Sequence, residues 1–248
     1  VESMKKVIEE LRKSGVENEA LEGQLAEMES TVIEAETKAR TNPGATMPVP
    51  PTTGNFAAGT RSMEGGKAGE VREFGGIEMV WCPPGEFLMG SPESEEKRDD
   101  DEKQHRVILT KGFWMAKTEC TQAQWESVMG NNPSEFTGAS LPVEMVSWDD
   151  CQGWLVKMNA EHPLPEGWKW VLPTEAQWEY ACRAGTETAY VFGNDDGELH
   201  KYGNFADKNF TQFSWGDPTQ DDGVGDETSE VGAYRPNDWG LLDMHGKD

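Results

Sequence analysis

The sequence predicts an α+β domain with few long elements, and three observations carry that prediction. Three capping boxes mark short helices, and four apolar runs near Pro or Gly read as strands. Beyond Gly185, a long Gly/Asn/Asp-rich stretch carries isolated aromatics with no sustained period, as ordered loops do. A helix and a linker precede this domain.

Residues 1–40 place Met4, Val7, Leu11, Ser14, Asn18, Leu21, Leu25, Met28, Val32, Ala35 and Ala39 at alternating steps of three and four. That heptad seam predicts a coiled-coil helix and therefore a homo-oligomer, with Asn18 fixing register across the seam. A single amphipathic helix lying on another part of the protein is the alternative. Residues 41–70 (Asn42-Pro43-Gly44, Pro48-Val49-Pro50-Pro51, Gly65-Gly66) have no periodic apolar positions and read as a disordered linker. The packed domain is expected to span 71–248, because all ten Trp and all four Cys lie within it.

Within the domain, Ile77–Trp81 reads as a strand broken by Cys82-Pro83-Pro84-Gly85, with Glu86–Gly90 as the second arm of a hairpin. Arg106–Leu109 and Gly112–Ala116 are two more strand-like runs. Helices start at Thr121-Gln-Ala-Gln124, Ser147-Trp-Asp-Asp150 and Thr174-Glu-Ala-Gln177, where the hydroxyl accepts from a backbone N–H and the residue three on reaches back. Their predicted buried faces are Trp125, Val128 and Met129; Cys151, Trp154, Leu155 and Met158; and Trp178, Ala181 and Cys182. Gly130 and Gly185 should stop the first and third.

The chain carries 46 Asp+Glu against 22 Lys+Arg, a net charge of -24. Residues 1–40 hold ten acids and six bases and residues 41–70 two of each, so -24 + 4 leaves -20 on the domain. Such a surface argues against nucleic acid and against docking on an anionic membrane, both of which call for basic residues. The chain opens on Val1 and stops after Leu241–Asp248 without a turn or terminal helix, which reads as a fragment and leaves the compartment open.

The cysteines are spaced by 38, 31 and 31 residues with no CxxC pair, which argues against a zinc ribbon or thioredoxin-like motif. Cys151 and Cys182 fit core positions, and Cys82 and Cys120 lack a flanking base. The four histidines form no HxH or HExxH arrangement; His105 falls at a strand entry and His162 at a helix end. Acids give the strongest chemical signal. The cluster Glu93, Glu95, Glu96 and Asp99–Glu102 reads as a solvated loop. Asn204, Asp207, Asp217, Asp221-Asp222-Gly223 and Asp226-Glu227 combine carboxylates, an amide and glycine turns, the hard-oxygen mixture that suits Ca²⁺, although without EF-hand spacing.

Five segments in order then resemble one family. They are Met79-Val-Trp-Cys-Pro-Pro-Gly-Glu-Phe-Leu-Met-Gly-Ser-Pro92, Lys117-Thr-Glu-Cys-Thr-Gln-Ala-Gln-Trp125, Pro142-Val-Glu-Met-Val-Ser-Trp148, Leu172-Pro-Thr-Glu-Ala-Gln-Trp-Glu-Tyr-Ala-Cys-Arg-Ala-Gly185 and Pro236-Asn-Asp-Trp-Gly-Leu-Leu-Asp-Met-His-Gly246. Together they look like the formylglycine-generating enzyme, or sulfatase-modifying factor, family, over about Gly76 to Gly246. The resemblance implies a C-type-lectin-like variant fold with short strands, three short helices and long ordered loops. It also implies calcium, held by side-chain oxygens of Asn204 and Asp222 and backbone carbonyls of Phe205 and Val224. Asp243 and Gly246 would begin a second calcium site.

Family enzymes oxidise a sulfatase cysteine to formylglycine with O₂, using Cu(I) on two enzyme cysteines that lie beyond a Gly-Asn-x-Trp-Glu-Trp segment. Here the sequence reads Gly246-Lys247-Asp248, and none of Cys82, Cys120, Cys151 or Cys182 matches the copper pair. The resemblance therefore implies a formylglycine-generating oxidase in full-length form and no catalytic residue in this stretch, which is expected to be inactive alone. The alternative is a non-catalytic lectin-like binding module multimerised by the coiled coil, since fold does not fix function. An iron-dependent sulfoxide synthase ranks last, because histidines are few.

Overall fold

The computed structural model describes residues 62–95, 98–99, 101–210 and 216–246. The expected coiled coil over 1–40 lies outside the described residues. Residues 60–248 form one compact unit. It is α+β, with five strands of four to six residues, three α-helices and one 3₁₀ turn among the described residues, joined by long loops.

Strand β1 (Val71–Phe74) turns through Gly75-Gly76 into β2 (Ile77–Cys82), and both glycines have positive φ, 54° and 78°. A two-residue turn of that kind matches the twist of antiparallel strands, and β1 and β2 pair from Phe74↔Ile77 to Val71↔Val80. The hairpin expected between the Ile77 and Glu86 runs does not form. Cys82 leads into Pro83-Pro84, which have no N–H to continue a ladder, and the chain leaves the sheet. Instead β2 pairs with β5 (Phe113–Ala116), while β3 (Gly85–Met89) pairs antiparallel with β4 (His105–Leu109) in a second sheet.

Strand β2 is buried on both faces and divides the interior in two. Ile77 and Met79 face a cluster with Trp125, Trp154, Leu155, Met158 and Trp170. Val80 and Cys82 face a second cluster with Tyr180, Ala181 and Leu241. Each fully buried large side chain contributes about 1.5–3 kcal/mol, which explains why short elements suffice.

Three helices follow: α1 (Gln122–Met129), α2 (Trp148–Glu161) and α3 (Glu175–Arg183), each opened by a complete capping box on Thr121, Ser147 or Thr174. Gly130 caps α1 in the left-handed conformation. In α3 that role falls on Ala184, one residue before the predicted Gly185. The third helix also turns Tyr180 inward with Ala181 and Cys182, whereas Trp178, predicted inside, is 46% exposed. Its hydrophobicity favoured the wrong side of a helix whose orientation is set by the Tyr180 contacts with Phe87 and Trp239.

Residues 62–70, placed by composition in the linker, lie against the sheet. Gly69 N–H donates to the Trp81 carbonyl (3.1 Å), Trp81 N–H to the Glu70 carbonyl (2.9 Å) and Trp114 Nε1 to the Met63 carbonyl (2.7 Å). The packed chain thus begins before Val71. Among the described residues no helix is long and apolar enough to cross a membrane.

Candidate functional site

The 3₁₀ turn Asp196–Lys201 delivers the chain into the loop that contains Asn204, and its Asp195 cap accepts from Gly197 N–H (2.9 Å). Two segments distant in sequence close on each other there. A Cβ on Gly203 would fall on the His245 carbonyl, and one on Gly246 would fall on the Asn204 carbonyl. Residues 203–204 and 245–246 therefore run backbone against backbone.

Across this loop, Asp222 is the hub. Its Oδ2 accepts from Phe205 N–H (3.1 Å) and its Oδ1 from Val224 N–H (2.8 Å), while its own N–H donates to Asp207 Oδ2 (2.8 Å). Asn204 is buried, and its Nδ2 donates to the Glu227 carbonyl (3.0 Å). The fold thus gathers Asn204, Phe205, Asp222 and Val224 into one loop cluster. Asp221, its neighbour, faces outward and pairs with Lys208 (2.7 Å). That contact holds the Asp221 carboxyl below the usual range, whereas burial pushes Asp222 up against the lowering effect of its two N–H donors.

Asp243 is also buried, with positive φ (56°), and accepts from Gly232 N–H. The buried Tyr234 phenol lies within electrostatic reach of both halves. Burial raises its pKa first, the Ser229 side chain beside it opposes that rise, and the charges of Asp222, Asp243 and Asp207 add to it. Neither Tyr234 nor Asp207 is among the predicted ligands. Asp207 is visible in sequence as part of the acidic stretch; Tyr234 has no local signal, since its role comes only from tertiary placement.

Next to Gly246, the His245 ring is walled by Tyr190 and Phe192 (5.8 and 5.9 Å between centroids), and its Nε2 accepts from Val191 N–H (3.3 Å). Burial lowers its pKa to about 4, so it is neutral at pH 7. Tyr190 also lines a cavity of about 750 Å³ with Glu95, Glu102, Glu187, Asp195, Asp196 and Arg98.

A hard cation fits the donor types at the Asn204 loop: one amide, one carboxylate short of positive partners, and carbonyls in the same turns. Among the described residues no group of three or more His, Cys, Asp and Glu side chains is disposed around one point, so such a site would depend on amide and backbone oxygens. Copper fares differently. All four cysteines are free, and burial pushes Cys82 and Cys120 up to about 12 and Cys182 to about 11. Cu(I) ligation calls for thiolates, and these thiols instead donate to carbonyls, Cys182 to Met244 O (3.4 Å) and Cys120 to Thr121 O (3.6 Å). They do not fit a copper pair.

Residues 67–247 match the family model of the sulfatase-modifying factor enzyme 1-like domain. The chain belongs to this family. Its α+β architecture is the family's C-type-lectin-like variant, and PvdO from Pseudomonas aeruginosa superposes with a TM-score of 0.60 at 25% identity, covering 73% of this chain and 72% of PvdO. Among curated relatives, the Paenibacillus barcinonensis chaperone protein LppX is 31% identical over 171 residues, 56% of this chain and 61% of LppX. The Bos taurus formylglycine-generating enzyme is 27% identical over 245 residues, 79% of this chain and 64% of the enzyme. The chain thus spans less than two thirds of the length of either.

Proposed function

We propose that this family member serves as a formylglycine-generating oxidase acting on a sulfatase cysteine with O₂ and copper, and that residues 62–246 supply its calcium-ordered scaffold. The match of residues 67–247 to the family domain, with the Asn204 and Asp222 loops assembled as one cluster, is the observation that carries the reading. Copper chemistry requires a thiolate pair that Cys82, Cys120, Cys151 and Cys182 do not provide, so no step is assigned to them. The acidic cavity beside Tyr190 suits the arginine of a Cys-x-Pro-x-Arg peptide.

The test is aerobic incubation of that peptide, with copper, with the 248-residue chain and, in parallel, with any longer product of the same gene. Loss of mass at the peptide cysteine is expected with a product that adds a thiolate pair and not with the 248-residue chain, whose four cysteines do not form one. An unchanged peptide in both would overturn the oxidase reading.

Calcium belongs to the same proposal: Asn204 and Asp222 side chains with the Phe205 and Val224 carbonyls as one site, and Asp243 and Gly246 contributing to another. A ligand that binds only the folded state raises its stability by RT ln(1 + [L]/Kd), so chelator should lower the melting temperature and calcium restore it. Asp222→Asn should abolish the difference, while Asp221→Asn, on the outward carboxylate, should keep it. Because burial raises the Asp222 pKa, protonation competes with the ion, and calcium affinity should fall as pH is lowered toward that raised value. Calorimetric titration at two pH values reads this out, and equal affinity at both would remove Asp222 from the ligand set.

A further inference from the structure

Helices α1 and α2 pack against each other and bring two indoles, Trp125 and Trp154, into the first core cluster. Both are almost out of solvent, at 4% and 9% exposed. A buried indole N–H ordinarily finds an acceptor, and the neighbours of this pair do: Trp170 Nε1 donates to the His162 carbonyl (2.9 Å) and Trp114 Nε1 to the Met63 carbonyl (2.7 Å). The Nε1 atoms of Trp125 and Trp154 are buried and have no hydrogen-bond partner among the described residues. Each stranded donor carries the full cost of its desolvation, and two in one cluster call for an acceptor.

The same two indoles line a cavity of about 200 Å³, walled by Ile77, Met79 and Leu155. A cavity of about 150 Å³ is enough to hold benzene, so a single ring with a small substituent fits. Val171 and Leu172, also in its wall, are 54% and 39% exposed, which opens it to solvent on that side. Among the described residues that line it there is no Lys, Arg or His, and Glu119 is its one acid. An anion would therefore enter without a countercharge and beside a carboxylate, while a cation would leave both indole donors unmet. Cys120 and Cys151 border the same space and add no charge, because burial above all pushes both thiols up, Cys120 to about 12. The chemistry that answers this lining is a neutral acceptor on an apolar body.

We propose that this cavity is a binding site for a neutral monocyclic molecule bearing a carbonyl oxygen, which accepts from the indole N–H groups of Trp125 and Trp154 while its ring lies against the apolar walls. A carbonyl oxygen has two lone pairs and can take one or both donors. The site shares no residue with the Asn204 loop and does not rest on the oxidase reading.

Acetophenone is the probe, and ethylbenzene, with the same ring and no acceptor, is its control. Each is titrated into the 248-residue chain while the side-chain N–H resonances of the ten Trp are followed by NMR. Trp125→Phe and Trp154→Phe, which keep a ring and remove the donor, each assign one resonance. Acetophenone should shift these two resonances, and ethylbenzene should bind about tenfold more weakly or worse. Trp178→Phe, at an indole that is 46% exposed, should bind acetophenone as the parent does. The comparison of the two probes needs no variant, so it stands even where a core substitution unfolds the chain. Resonances of Trp125 and Trp154 that stay in place up to the solubility limit of acetophenone would overturn the proposal. Equal affinity for the two probes would do the same, since the cavity would then take molecules by apolar burial alone. So would magnetisation transfer from both N–H groups to bound water with acetophenone present, which would mean that water, not the ligand, meets the donors.

Discussion

Gly203→Ala is expected to destabilise the protein by roughly 3 kcal/mol or more, at the upper end of single substitutions. The added Cβ would occupy the position of the His245 carbonyl oxygen. Overpacking is tolerated when a flexible side chain can swing away, but here the obstacle is backbone, and His245 is held by its Tyr190 and Phe192 neighbours and by Val191 N–H. Opening that contact would also move Asn204, the next residue, so the calcium-dependent rise in melting temperature proposed above should vanish along with stability. Gly225→Ala is the matched control: it lies one residue beyond Val224, where a Cβ meets nothing within 4 Å. It should stay within about 0.5 kcal/mol of the parent. Urea unfolding of the two variants decides the matter, and a Gly203→Ala midpoint near that of the control would show that the two segments can separate freely.

The contrast between these glycines also marks where sequence stops being informative. Thr121, Ser147 and Thr174 declared their helices because capping is a contact between residues three apart, and all three boxes are in place. The Asn/Asp-rich loop likewise announced an oxygen-rich cluster through composition. What composition cannot rank is neighbours: Asp221 and Asp222 are adjacent carboxylates, and only the position of Lys208 turns one outward while Phe205 and Val224 N–H groups turn the other in. Strand pairing has the same character. The Gly75-Gly76 turn is a local hairpin signal, two glycines between apolar runs, whereas β2 finding β5 across 31 or more residues depends on both faces of β2 being buried. Trp178 shows the converse failure, since a large apolar residue on a short helix points wherever the packing of Tyr180 leaves it.

Asn237 carries the second large effect. Its side chain is buried and fully used: Nδ2 donates to the Ala181 and Cys182 carbonyls (2.8 and 3.1 Å), and Oδ1 accepts from Trp239 and Leu241 N–H (3.0 and 3.1 Å). The two carbonyls belong to the last turn of α3, where no further helical N–H arrives, so this one amide terminates the helix and fastens the turn that places Leu241 in the second core. Asn237→Ala strands two acceptors and two donors, and at about 1–3 kcal/mol for each buried group left unsatisfied, partly relieved by water, a loss of roughly 3–5 kcal/mol is expected. Asn237→Asp should be worse than alanine despite its closer shape. It keeps the acceptor for Trp239 and Leu241 but aims a buried carboxylate at two carbonyl oxygens, which disfavours the ionised form and raises the pKa of the new carboxyl above its value in the unfolded chain. Protonation gives the carboxyl a donor again, so the aspartate variant alone should regain stability as pH falls. Chemical denaturation of both variants across that range tests the order, and an aspartate variant as stable as the parent at neutral pH would mean that Asn237 does not anchor α3.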